Sequence, residues 1–217
     1  MSETPPRLQA IYGGTFDPIH EGHLRSVSAL AQVLSLQQVI IMPNNVPPHR
    51  PQPQASSEQR KQMVELAIRD RPLFQIDCRE LERQTPSWTV ETLEAIRHEK
   101  GPHQPLAFII GQDSLINLPH WHRWQSLLSL CHLLVCQRPG TPLTMETPEA
   151  QAWLDRHRRQ DIASLHNTPG GTVYLADTPL YDISATEIRQ RLAAGLPCDD
   201  LVPPAVLAFI QQHHLYA

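Results

Sequence analysis

Nowhere does the chain carry an apolar stretch approaching the ~20 residues that cross a bilayer. Met1 to Arg7 is polar and proline-bearing, so no signal peptide is expected, and a soluble, cytoplasmic protein without a membrane partner follows. Basic excess is missing too: 18 Lys and Arg stand against 22 Asp and Glu, for a formal net charge of -4 and a pI near 6.3. Proteins that coat nucleic acid neutralise phosphates with a basic surface, so no nucleic-acid partner is expected and the partner should be small. Cysteine is scarce. Cys78, Cys131, Cys136 and Cys198 form no Cys-x-x-Cys pair, which excludes a zinc ribbon or redox dithiol and leaves reduced thiols, two of them flanking a strand-like run as small hydrophobes. No repeat and no obvious linker interrupts the chain. With 217 residues, 41% of them hydrophobic, it can bury one core, so a single domain over 1–217 is expected, with its oligomeric state open.

What the chain does have is Gly13-Gly14-Thr15-Phe16-Asp17-Pro18-Ile19-His20-Glu21-Gly22-His23, directly after the apolar segment Leu8 to Tyr12. An apolar run, a glycine turn and the start of a helical pattern describe a strand, a phosphate-cradling loop and a helix N-terminus. The glycines let backbone approach a ligand closely, and the first N–H groups of the helix are unpaired and partly positive. His20 and His23, three apart, fall on one side of the helix entrance, where both imidazoles can reach one phosphate. A zinc-protease motif needs its histidines four apart inside a helix, where Gly22 is unfavourable, and a dinucleotide fingerprint needs Gly-x-Gly-x-x-Gly. Glycines in a tight turn with surface histidines would be the bland account of this run alone.

A second signal is Ile183-Ser184-Ala185-Thr186-Glu187-Ile188-Arg189. Ser184 with Glu187 reads as a capping box, which puts Thr186 and Arg189 on the first turns of a helix, an anion site reinforced by hydroxyls and a guanidinium. Alone, this heptad would also describe an ordinary capped surface helix.

Between the motifs, short apolar runs alternate with helical patterns. Strands are expected at Leu8 to Tyr12, Val39 to Met42, Leu106 to Ile110, His132 to Cys136 and Val173 to Leu175, and helices near His23 to Leu34, Ser57 to Arg69, Thr89 to Glu99 and Trp121 to Ser129. Ala185 to Ala194 and Ala205 to His213 should form a helical C-terminal segment, divided by Gly195, Pro197 and Pro203-Pro204. That alternation predicts an α/β fold, a Rossmann-like doubly wound parallel sheet whose ligands bind beyond the carboxyl ends of the strands. The prolines between Asn44 and Ala55 make an extended loop, either a surface connection or a flap over substrate.

Together the two motifs resemble the nucleotidyltransferase superfamily, with its His-x-Gly-His and Ile-Ser-x-Thr-x-x-Arg signatures. Pro43-Asn44-Asn45-Val46-Pro47-Pro48-His49, Thr85-Pro86-Ser87-Trp88-Thr89, Gly111-Gln112-Asp113-Ser114-Leu115 and Cys136-Gln137-Arg138-Pro139-Gly140 narrow the resemblance to the bacterial nicotinate-nucleotide adenylyltransferases, over nearly the whole chain. The resemblance implies adenylyl transfer from ATP to nicotinate mononucleotide, yielding nicotinate adenine dinucleotide and pyrophosphate in NAD biosynthesis. It assigns catalysis to His20 and His23, and ATP to Gly14, Thr15, His20, His23, Ser184, Thr186 and Arg189. It assigns the mononucleotide to Asn44, Thr85, Asp113, Trp121 and His122, with Trp121 stacked on the pyridine ring, Thr85 and backbone N–H groups on the carboxylate, and Asp113 on a ribose hydroxyl. Mg2+ is expected through the substrate phosphates, with no metal ligand from the protein.

Trp88 and His122 depart from the tyrosine or other aromatic expected at their positions, and Arg50 stands where many relatives carry lysine; a backbone contact at His122 survives such a change. His120, His157, His213 and His214 have no spacing partner and read as surface residues. Rival substrates within the superfamily are pantetheine phosphate, nicotinamide mononucleotide or a polyol phosphate. A class I aminoacyl-tRNA synthetase fragment shares His-x-Gly-His but would bring a lysine-rich loop, and a nucleotide-sensing module would bind without turnover.

Overall fold

The computed structural model describes residues 7–46, 51–85, 87–138, 140–179 and 181–217. Among them, six strands, β1 (Gln9–Gly14), β2 (Val39–Pro43), β3 (Phe74–Ile76), β4 (Leu106–Gly111), β5 (His132–Cys136) and β6 (Val173–Ala176), form one parallel sheet in the order β3-β2-β1-β4-β5-β6. The helices are α1 (Glu21–Leu34), α2 (Ser57–Ile68), α3 (Thr89–Lys100), α4 (Gln112–Ile116), α5 (Pro148–His157), α6 (Ile162–Asn167), α7 (Ala185–Ala193) and α8 (Pro204–Gln212). The doubly wound α/β fold is therefore present, with β3, α4, α5 and α6 beyond the expected elements. The helix expected over Trp121 to Ser129 is instead two 3-10 turns, Leu118–His120 and Trp124–Ser129. Trp121 between them is extended and Arg123 is left-handed at φ 51°, so no continuous helix can pass through. The proline loop lies partly outside the described residues, at 47–50.

The chain divides into two compact units, one of residues 1–12, 30–39 and 88–180, the other of 13–29, 40–87 and 181–217. In the first, β4 pairs in parallel with β1 (Ile11 opposite Phe108) and with β5 (Ile109 opposite Leu134). The strands β4, β5 and β6 are buried almost throughout, the near-continuous apolar runs of a sheet covered on both faces. Arg97 of α3 ties the entrances of these strands together, donating to the carbonyls of Gly101, Gln104, Leu130 and Pro169. The outer edge of β6 is closed by the Gln160 amide, which donates to the Leu175 carbonyl and accepts from its N–H. His132 and His166 are structural: each accepts a backbone N–H at Nδ1, from Thr172 and Leu8, and meets a carbonyl through Nε2, of Thr168 and Leu34.

In the second unit, a complete capping box between Ser56 and Gln59 starts α2. Its buried face is Arg60, Met63, Val64 and Ala67, and α2 packs on α8, which buries Val206, Phe209 and Ile210. That stripe is the amphipathic i, i+3, i+4, i+7 pattern with one charged member.

Candidate active site

The loop after β1 is built by close approach. Phe16 takes a left-handed backbone, φ 53°, which folds its ring back over Gly14; a Cβ there would stand 3.0 Å from the ring. The same ring meets His23 edge-on, with centroids 5.1 Å apart. A left-handed non-glycine residue costs on the order of 1–3 kcal/mol and persists where its surroundings enforce it, commonly at functional sites.

His20 and His23 form a reciprocal pair at the entrance of α1. The His20 N–H donates to Nδ1 of His23 at 3.1 Å, the His23 N–H reaches Nδ1 of His20 at 3.3 Å, and the rings stack with centroids 3.6 Å apart. Because each Nδ1 accepts, each neutral ring must carry its proton on Nε2 as a donor. Burial lowers the pKa of His20 to about 4; burial and then the neighbouring His20 hold His23 well below the usual range. Two neutral Nε2–H donors are thus preorganised at a helix N-terminus.

Gly22 makes the pairing possible. A Cβ at that position would sit 2.8 Å from the His20 ring and 2.9 Å from the Ile183 carbonyl, so the glycine admits both the ring and the segment leading into the second motif. Glu21 is no general base here. Its carboxylate is buried between Arg71 at 2.7 Å and Arg25 at 3.2 Å.

Ser184 caps α7, its hydroxyl accepting the Glu187 N–H at 3.1 Å. Thr186 lies in the first turn, and Arg189, one turn on, donates to the Thr186 hydroxyl at 3.3 Å and the Asp17 carbonyl at 2.8 Å. The second motif is thereby fastened to the first. Two residues to which the sequence assigned no role, Asp17 within the first motif and Arg60 outside both, complete the loop. The Asp17 carboxylate accepts the N–H groups of Gln54 (2.9 Å) and Ala55 (3.1 Å), while the buried Arg60 donates to the carbonyls of Thr15 (2.8 Å) and Asn44 (3.0 Å). A charged residue on the apolar stripe of α2 was the available signal for Arg60.

The residues expected at the mononucleotide are distributed between the units. In the second, the Asn44 N–H joins Gly14 at 2.9 Å, Asn45 donates to the Arg83 carbonyl at 2.8 Å, and Thr85 is exposed two residues later. In the first, Asp113 on α4 pairs with Arg138 at 2.9 Å, and the buried Gln112 accepts the Arg138 N–H at 2.8 Å. Trp121 meets Phe108 edge-on at 6.4 Å, and the His122 ring lies tilted against Trp88 at 5.0 Å, so the two departures from the family pattern contact each other.

A cytidylyltransferase-like family model matches residues 11–191. The chain is 63% identical over 216 residues to the "Probable nicotinate-nucleotide adenylyltransferase" of Cronobacter sakazakii, covering all of this chain and 99% of that one. It is 62% identical to the protein of the same name from Pectobacterium atrosepticum, covering 97% and 99%. Among solved structures, the nicotinic acid mononucleotide adenylyltransferase of Plasmodium falciparum, complexed with NaAD, superposes over 97% of each chain with a TM-score of 0.70 at 18% identity, a likeness of fold. A loop of paired histidines fastened to an Ile-Ser-x-Thr-x-x-Arg helix, on this sheet and with relatives this similar along their whole length, places the chain in the nicotinate-nucleotide adenylyltransferase family of the cytidylyltransferase-like superfamily.

Proposed function

We propose that the chain transfers the adenylyl group of ATP to nicotinate mononucleotide, giving nicotinate adenine dinucleotide and pyrophosphate in NAD biosynthesis. A phosphate oxygen of the mononucleotide bonds to the α-phosphorus of ATP as the bond from that phosphorus to the bridging oxygen breaks, and pyrophosphate leaves. The nucleophile is already anionic, so the protein's work is positioning and stabilisation of charge. The single observation that carries this reading is the His20–His23 pair, whose reciprocal Nδ1 bonds fix both rings as Nε2–H donors. Neutral donors of fixed direction suit charge that builds on phosphate oxygens in the transition state.

Gly14 and Thr15 offer loop backbone to the same phosphates, and Ser184, Thr186 and Arg189 hold the β- and γ-phosphates. Trp121 supplies an apolar face for a flat heterocycle and His122 a backbone N–H, while Thr85 presents a hydroxyl donor to the nicotinate carboxylate; Asn44 and Asp113 complete the mononucleotide's polar partners. Asp17, the loop's carboxylate, is committed to protein donors, and among the described residues no cluster of His, Cys, Asp or Glu is arranged to hold a metal. Mg2+, carried on phosphate oxygens and water, would supply neutralisation of charge on the departing pyrophosphate. The partners are small molecules, and among the described residues no helix is long and apolar enough to cross a membrane.

ATP labelled at the α-phosphorus tests the reading. With nicotinate mononucleotide the label should appear in the dinucleotide and none in pyrophosphate; no labelled dinucleotide under turnover conditions would refute it.

A further inference from the structure

The network beneath the phosphate loop ends at a residue to which neither the sequence motifs nor the proposed chemistry assigns a role. Tyr216, buried in the segment after α8, donates its hydroxyl to Oδ1 of Asp17 at 2.6 Å, and Asp17 in turn presents its peptide carbonyl to Arg189 at 2.8 Å. We propose that Tyr216 is a positioning residue of the nucleotide site, setting the aim of Arg189 on the triphosphate through Asp17. The inference rests on the reading of Arg189 as a phosphate ligand.

The Asp17 carboxylate has three protein donors: the backbone N–H groups of Gln54 and Ala55 and the Tyr216 hydroxyl. The first two fix the carboxylate to the strand of chain entering α2, and the third fixes it to the chain after α8. With all three in place the Asp17 side chain has one orientation, and its main-chain carbonyl is a rigid acceptor for Nη1 of Arg189. Nη2 of Arg189 is shared with Thr186, so the guanidinium plane is defined by two partners, one of which depends on Tyr216. Burial, and then the bond to Asp17, push the ionisation of Tyr216 far above its ordinary range, which keeps the hydroxyl a donor at every working pH. Tyr216 reaches this place through a left-handed backbone, φ 61°, an unfavourable conformation for a tyrosine that the buried contact at its ring end sustains.

Removing only the hydroxyl, with Tyr216→Phe, leaves the ring packing and deletes one donor. The expected result is a weakening of ATP by about fivefold to tenfold in Kd by calorimetry, which needs no turnover, and in KM for ATP, with KM for the mononucleotide unchanged. In a double-mutant cycle, Tyr216→Phe in an Arg189→Ala background should add no further loss for ATP, because the path it acts through is already gone. Asp17→Asn, should Tyr216→Phe fail to fold, is expected to weaken ATP in the same direction. A lower melting temperature with wild-type Kd for ATP, or losses that multiply in the double variant, would overturn the proposal and reduce Tyr216 to a packing residue. Calorimetry separates this outcome from failure of the functional reading: absence of pyrophosphate release in the wild type, with the ATP coupling intact, would overturn the acceptor and leave the positioning role standing.

Discussion

Gly22→Ala separates stability from turnover. Its Cβ would stand 2.8 Å from Cε1 and Nδ1 of His20 and 2.9 Å from the Ile183 carbonyl oxygen, short of ordinary contact by about 0.6 and 0.5 Å. The His20 ring cannot simply turn aside, because its Nδ1 accepts from the His23 N–H and its face lies on the His23 ring. The carbonyl is backbone, one residue before the cap of α7, so it moves only with the second motif. Overpacking of this kind costs about 1–3 kcal/mol, against which alanine gains up to about 1 kcal/mol of helix propensity in α1. The net loss is therefore about 0–3 kcal/mol, which for a chain of this size lowers Tm by less than about 12 °C. Turnover should suffer far more, since a shift of order half an ångström misdirects a donor whose loss costs roughly 100-fold; kcat is expected to fall at least about 30-fold. Circular dichroism melts and initial rates of pyrophosphate release on the same preparation measure both. Wild-type kcat in a folded Gly22→Ala protein would refute the claim that the His20–His23 geometry controls the reaction.

Replacement of His20 by alanine should lower kcat by roughly 100-fold with a smaller change in KM, as measured by steady-state kinetics with both substrates varied. The imidazole resonances of His20 and His23, followed by NMR, should show neutral rings at pH 5.5, since His20 titrates near 4. Below its unfolded value of 6.5 the unfolded chain takes up a proton that the folded one refuses, so His20 contributes up to about 3 kcal/mol at neutral pH, lost as pH falls from 6.5 towards 4. Glu80 has the opposite sense. Burial raises its carboxyl to about 7 from 4.5, so the folded state holds a proton the unfolded one has lost, and Glu80 costs stability as pH rises through that interval. Glu80→Gln should accordingly raise Tm at pH 8 and leave it unchanged at pH 4.5, as read by thermal melts; equal effects at the two pH values would contradict the burial argument.

Much of this was legible in the sequence because it is local. Val39 to Met42 and His132 to Cys136 are apolar runs of strand length, and Gly13-Gly14 with His20 and His23 marks the turn between β1 and α1. β3 escaped because Phe74–Ile76 has only three residues, too few for a period. The start of α5 carried its own mark, Thr147 as cap with Pro148 at the first helical position, which the apolar pattern did not draw attention to. The site's supporting residues are another matter: Asp17 meets Tyr216 across 199 positions and Arg189 across 172, and such partners leave no spacing in the chain. Arg60 alone gave a hint, by standing on the apolar face of α2.

The ratio of kcat/KM for nicotinate mononucleotide to that for nicotinamide mononucleotide decides which acceptor the site is built for. Backbone N–H groups closed under the bound carboxylate cannot accept from the amide's NH2, and an unpaired buried group costs about 1–3 kcal/mol, so two mismatches cost about 2–6 kcal/mol and give a ratio of at least about 30. Thr85→Val should shrink that ratio. Pyrophosphate release with ATP and each mononucleotide in turn is predicted to show the preference for the acid on the wild-type protein, whereas equal values, or a preference for the amide, would mean that the site is not built for the nicotinate carboxylate.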